Sequence, residues 1–97
     1  MSAPSTRNMG DDEIRELRAL RRSQNCDVRI IGMTTFVMLR EGQEAFRMFT
    51  AVCGSADSFD PEAGEYLARS RMQDYIDGHT VDGTPVCAEM ASMLDFI

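Results

Sequence analysis

The chain contains no lysine and no tryptophan, one histidine, and three cysteines that form no CxxC pair. Cys26, Cys53 and Cys87 stand 27 and 34 positions apart, a spacing that suits neither a zinc knuckle nor a disulfide framework. Each reads as a small buried apolar residue in a reducing compartment. Long hydrophobic runs are also missing. Nothing approaches the ~20 apolar residues of a membrane span, and residues 1–9 lack the apolar core of a signal peptide. A cytoplasmic location without membrane attachment is therefore expected. The seven glycines are scattered singly, which leaves no phosphate-cradling loop. No GxSxG stretch surrounds Ser55, Ser58 or Ser70, and Cys53 has no neighbouring base. His79 stands near only Asp74, Asp77 and Asp82 in sequence, whereas a metal needs at least three ligands converging in suitable geometry. No catalytic residue, metal site or cofactor is expected, and the chain reads as non-enzymatic.

The charge that is present is unevenly placed. All ten basic residues are arginine, and the net charge is −6. Residues 1–50 hold eight arginines against seven acids, while residues 51–97 hold two against nine, which gives +1 and −7. Phosphate contacts supply most non-specific nucleic-acid affinity and need an excess of cations, so direct nucleic-acid binding is not expected. At 43% hydrophobic residues the composition is that of a globular domain with a thin core.

Residues 1–10 read as a flexible N-terminal arm, and residues 11–97 as a single α+β domain. Asp11 or Asp12 can cap a helix running from about residue 12 to 23, with Glu13 and Glu16 near its positive end and Arg18, Arg21 and Arg22 towards its negative end. Its apolar face, Ile14, Leu17 and Leu20, is narrow. Residues 28–33 are β-branched and apolar but interrupted at Gly32. Residues 35–39 are a clearer strand, a turn follows at Glu41-Gly42, and residues 44–52 alternate, with Phe46, Met48, Thr50 and Val52 opposite Ala45, Arg47, Phe49 and Ala51. Good helix formers in 43–52 leave a helical alternative open there. The expected sheet is a small antiparallel hairpin of two or three strands.

The stretch 59–69, FDPEAGEYLAR, opens the main helix. Asp60 is a strong N-cap, and Pro61 stands at the first helical position, where its missing N–H costs nothing. Gly64, Ala68 and Met72 recur every four residues, so small side chains on one face let the helix lie close on the sheet. Asp77 and Gly78 end it. Thr84 and Pro85 repeat the cap signal, which predicts a C-terminal helix with an apolar stripe of Val86, Met90, Met93, Leu94 and Ile97.

Residues 35–76 resemble a small, largely uncharacterised protein family of tailed bacteriophages and prophages, named for gene forty-nine and gene sixty-six of two podoviruses. The resemblance rests on the strand TTFVML, the turn REG, Cys53 after the second strand, and Phe59, Asp60, Glu62, Gly64 and Ala68 in the helix motif. Glu41-Gly42 replaces the family's Asn-Gly turn, and the family's Trp after the helix is absent. The resemblance implies a phage or prophage origin and a β-hairpin followed by a helix. The motif residues Phe59, Asp60, Pro61, Gly64 and Ala68 have a structural role, with no chemistry to transfer.

These features make a small phage-encoded binding protein the leading expectation, one that inhibits or redirects a host component such as a defence complex. Alternatives are an oligomer that sequesters a small molecule such as a nucleotide, and a phage structural or assembly protein. Candidate partner-binding residues are Arg15, Arg18 and Arg22 on the first helix and Glu62, Glu65 and Asp74 on the acidic half. The expected partner is a host or phage protein, with a homodimer through the C-terminal helix as a further expectation.

Overall fold

A computed structural model describes residues 9–24, 26–52, 60–94 and 96, so Cys53 and Phe59 of the motif lie outside the described residues. The chain is an α+β fold whose element order is helix, three strands, helix, strand, helix. The first helix, α1, spans Asp11–Ser23 with Gly10 as its N-cap. The aspartates are not the cap: Glu13 reaches back, and its Oε1 accepts the Gly10 N–H at 2.9 Å. Acids in the first turn and Arg21 and Arg22 in the last complement the helix dipole.

Strands β1 (Asp27–Ile31), β2 (Thr34–Arg40) and β3 (Ala45–Val52) form an antiparallel meander. The two residues between β1 and β2, Gly32 and Met33, make a turn, with Gly32 at φ 63°, a left-handed conformation that is cheap only for glycine. Residues 45–52 are therefore strand rather than helix. Their alternation divides as the pattern predicts: Phe49 and Ala51 face one core, while Phe46 faces the other.

Helix α2 spans Pro61–Ile76. The Asp60 carboxylate accepts the Glu62 N–H at 3.0 Å, and Pro61 starts the helix. The helix lies on β2 and β3. Ala68 and Met72 are fully buried there against Val37, Phe49 and Ala51. At Gly64 the approach is closer still, because a Cβ would stand 2.7 Å from Thr35 Oγ1. Glycine is required at this point by space, not by backbone angle.

The C-terminal part departs from expectation. Thr84 and Pro85 do not start a helix; they belong to a fourth strand, β4 (Thr84–Cys87), antiparallel to β3 with Phe46 opposite Val86. Proline is tolerated on an edge strand as readily as at a helix start, so the dipeptide has the same local signature in both. The unpaired edge of β3 and a place for Val86 beside Phe46 decide between them. The sheet thus has four strands in the order β1-β2-β3-β4. Helix α3 is only Ala88–Met93. It covers the sheet face opposite α2, where Met38, Phe46, Val86, Ala91 and Phe96 form a second core. The predicted stripe is split: Val86 is buried in β4, whereas Met90 and Met93 are 48% and 83% exposed.

Candidate functional site

Helix α1 packs along α2, and the contact has two unlike sides. One side is a polar lock. Arg21 donates twice to Glu65, Nε to Oε2 at 2.8 Å and Nη2 to Oε1 at 2.7 Å. Arg69, one turn beyond Glu65, donates its Nε to the same Oε2 at 2.7 Å. The other arm of Arg69 reaches Gln24 Oε1 and Cys26 Sγ, both at 3.3 Å. Gln24 in turn donates to the Arg69 carbonyl at 2.9 Å and to Gln73 Oε1 at 3.1 Å. Arg69 is only 5% exposed, so its charge is kept inside by a fixed carboxylate. The Arg21 hydrogen bond holds the Glu65 carboxyl below the usual carboxylate range, against the opposing effect of burial, and Arg69 adds to it. Burial pushes the Cys26 thiol up, with Arg69 partly opposing, so the thiol is not primed as a nucleophile.

The other side is an open groove of about 490 Å³. From α1 it takes Glu16, Ala19, Leu20 and Ser23; from α2 it takes Ser70, Gln73, Asp74 and Ile76. Small side chains explain the space. Ala19 and Ser23 follow each other at one helical turn, Ser70 stands on the facing helix, and none of the three fills the gap. Leu20, Ala19 and Ile76 make the groove apolar, while its two charged residues, Glu16 and Asp74, are both acids. Tyr66 donates its hydroxyl to Glu16 Oε2 and ties the helices together at one end. That hydrogen bond raises the Tyr66 phenol above its usual range and keeps it a donor.

A second hollow of about 330 Å³ lies where β4 stops short along β3, between Arg71 and Asp82. Arg71 Nη1 donates to the Thr50 carbonyl at 2.6 Å, satisfying a β3 group beyond the end of β4. Gly83, at φ 95°, passes beneath Phe49 and Arg47, where a Cβ would clash at 2.7 to 2.8 Å. Arg47 is held close by: its Nε pairs with Glu41 at 3.2 Å, its guanidinium lies 4.6 Å from the Tyr75 ring centroid, and Tyr75 donates to the same Glu41. These polar groups complete the fold's own edges and turns.

The residues expected to meet a partner are scattered by the structure. Asp74 lines the groove. Arg15, Arg18 and Arg22 are exposed on α1, spaced three and four apart so that they share a stripe, with Arg15 paired to Asp12 at 3.2 Å. Glu62 is exposed near the start of α2. Glu65 is the correction: its carboxylate is consumed by Arg21 and Arg69 and its side chain is 12% exposed, so it holds the helices together instead of facing a partner. In the sequence Glu16 reads only as a dipole-complementing acid, Ser70 only as a serine without a catalytic context, and Ser23 only as the end of a helix. The available signal was the pair of small residues Ala19 and Ser23 beside the narrow apolar face of α1.

Among the described residues there is no group of three or more His, Cys, Asp or Glu placed to hold a metal ion, and no helix long and apolar enough to cross a membrane. No family model, no curated protein and no solved structure matches the chain.

Proposed function

We propose that this chain is a small non-enzymatic binding protein of a phage or prophage, which acts in the host cytoplasm by holding a host protein in the groove between α1 and α2. The observation that carries this reading is the groove itself: an open, apolar surface with acidic residues, beside a Glu65–Arg69 pair and an Arg71–Thr50 contact that serve the fold's own packing. A contiguous exposed apolar surface rimmed by polar residues marks an interaction site. The phage origin rests on the resemblance of residues 35–76 and on nothing in the groove.

The experiment is a pull-down from lysate of the cognate bacterium with the wild-type chain and with Ala19→Trp, which fills the groove from an exposed position. A stoichiometric partner that is recovered by the wild type and lost with the folded variant is the expected result. Recovery of no partner, or equal recovery by both chains, would overturn the reading. Ser23→Trp serves as the second blocking variant, and thermal melting checks that each is folded. A nucleotide is a poor occupant, since Glu16 and Asp74 repel phosphate. Among the described residues of the stripe expected for a dimer through α3, Met90 and Met93 are exposed and Leu94 is half-buried, while Val86 is already buried in the chain's own core.

A further inference from the structure

Resting on that reading, we infer that the groove's occupant is a basic amphipathic helix of the partner protein, laid between α1 and α2 as a third helix. Three observations converge on this class. The first is charge. On α1, Glu16, Ala19 and Ser23 follow at helical spacing along the stripe that lines the groove, whereas Arg15, Arg18 and Arg22 share a different stripe. On α2, Ser70 and Asp74 lead to Asp77, which accepts a hydrogen bond from Gln73 Nε2 at 3.0 Å. Acids thus border the groove on both helices, and arginine or lysine flanking an apolar stripe is the complement.

The second observation is shape. The groove is an open trough between helices of 13 and 16 residues, not an enclosed cavity. Its lining runs over 16–23 of α1 and 70–76 of α2, roughly 10 Å of each helix, enough to seat about two turns of a third helix. Small residues at Ala19, Ser23 and Ser70 allow its backbone to come within the 8 to 10 Å axis separation of ordinary helix packing. The third is the apolar floor. Leu20 is half-buried and Ile76 is 49% exposed, so both have surface to lose to apolar side chains placed at i, i+3 and i+7 on the incoming helix. A small cation would use the acids but leave this floor uncovered.

The probe is a fluorescently labelled 14-residue peptide of leucine and arginine patterned as an amphipathic helix, titrated with the full chain by fluorescence anisotropy at physiological ionic strength. A scrambled peptide of equal composition is the control for the helix. The double variant Glu16→Gln/Asp74→Asn is compared with Asp27→Asn/Glu89→Gln, which removes the same charge on β1 and α3. Saturable binding is expected, weaker by about 5- to 10-fold for the groove variant and within about twofold of wild type for the distant one. Ala19→Trp should abolish it, and the scrambled peptide should bind at least about 10-fold more weakly. Equal weakening by both double variants shows attraction to net charge alone and overturns the inference, as does equal binding of the scrambled peptide. Light scattering that shows a dimer dispersed by Ala19→Trp makes a second copy the occupant, with the same consequence. If the peptide does not bind but the cellular partner is still lost with Ala19→Trp, the helix is wrong and the groove stands. If the partner is retained by Ala19→Trp, the groove itself is wrong.

Discussion

The two faces of the sheet are covered by different means. Under α2, cover depends on closeness: Gly64 and Ala68 bring the helix backbone down onto Thr35 and its neighbours, and the layer is tied sideways to α1 by the Glu65 lock. Under α3, six residues of helix can shield little, and large side chains do the work, with Phe96 filling the space beside Met38 and Val86. Arg29 lies over the Phe96 ring at 5.3 Å and closes that side. A long helix with small residues covers a sheet by backbone approach, whereas a short one needs bulky anchors. The first is specified by local sequence; the second depends on residues that arrive from elsewhere.

The most severe test of this contrast removes one anchor from each face. Phe96→Ala should cost about 3 to 5 kcal/mol and Met72→Ala about 2 to 5 kcal/mol, measured by denaturant unfolding. The two losses should differ in kind. Hydrogen exchange in Phe96→Ala should rise mainly in β4 and α3, because only the second core is opened, whereas Met72→Ala should lower protection across β2, β3 and α2. Uniform loss in both variants would remove the distinction between the faces.

Glu65→Gln comes next, at about 3 kcal/mol, because it leaves the Arg69 charge buried without its carboxylate. Its signature is the pH dependence. The folded Glu65 carboxyl titrates below the unfolded one, which lies near ~4.3, so its contribution is fully present above that value and is lost as pH falls through the lowered folded range. The gap in stability between wild type and Glu65→Gln should therefore narrow in acid, and a constant gap down to pH ~2 would sink this account.

Gly64→Ala separates propensity from packing. Alanine is worth about 1 kcal/mol over glycine inside a helix, but the added Cβ would stand 2.7 Å from Thr35 Oγ1. A net loss of about 1 to 2 kcal/mol is expected, recovered in the Thr35→Ala background, where the contact is gone. The hydroxyl in question has no hydrogen-bond partner among the described residues. A stabilising Gly64→Ala would mean that helix and sheet are less tightly set than described. The smallest effect is at the helix start: Asp60→Ala should cost about 1 kcal/mol through loss of the 3.0 Å bond to the Glu62 N–H, read from the shift in the unfolding midpoint.

Much of the fold is legible along the chain. The cap of α2, the ends of α1 and α2 and the small face of α2 are written in residues near one another in sequence, and the two faces of β3 separate as its period-two pattern requires; the cap of α1 is Gly10 rather than either aspartate. The candidate site is much less legible. Asp74 could be picked out as an exposed acid, but that Glu16 lines the same groove follows only from the packing of two helices separated by the whole meander.

Sequence alone determined the helices α1 and α2, the strand at 35–39 and the close-approach face at Gly64 and Ala68, because caps, turns and periodicity act within a few residues. That 45–52 is a strand, and that the strand before 35–39 pairs with it, needed the sheet. Tertiary structure decided the rest. It made Thr84 and Pro85 an edge strand, since β3 offered an unpaired edge and Phe46 a partner for Val86. It turned Glu65 from a surface acid into the lock between Arg21 and Arg69, and it left the acidic groove open beside that lock. These outcomes depend on groups that lie far apart along the chain, and no local signal reports which of them will meet.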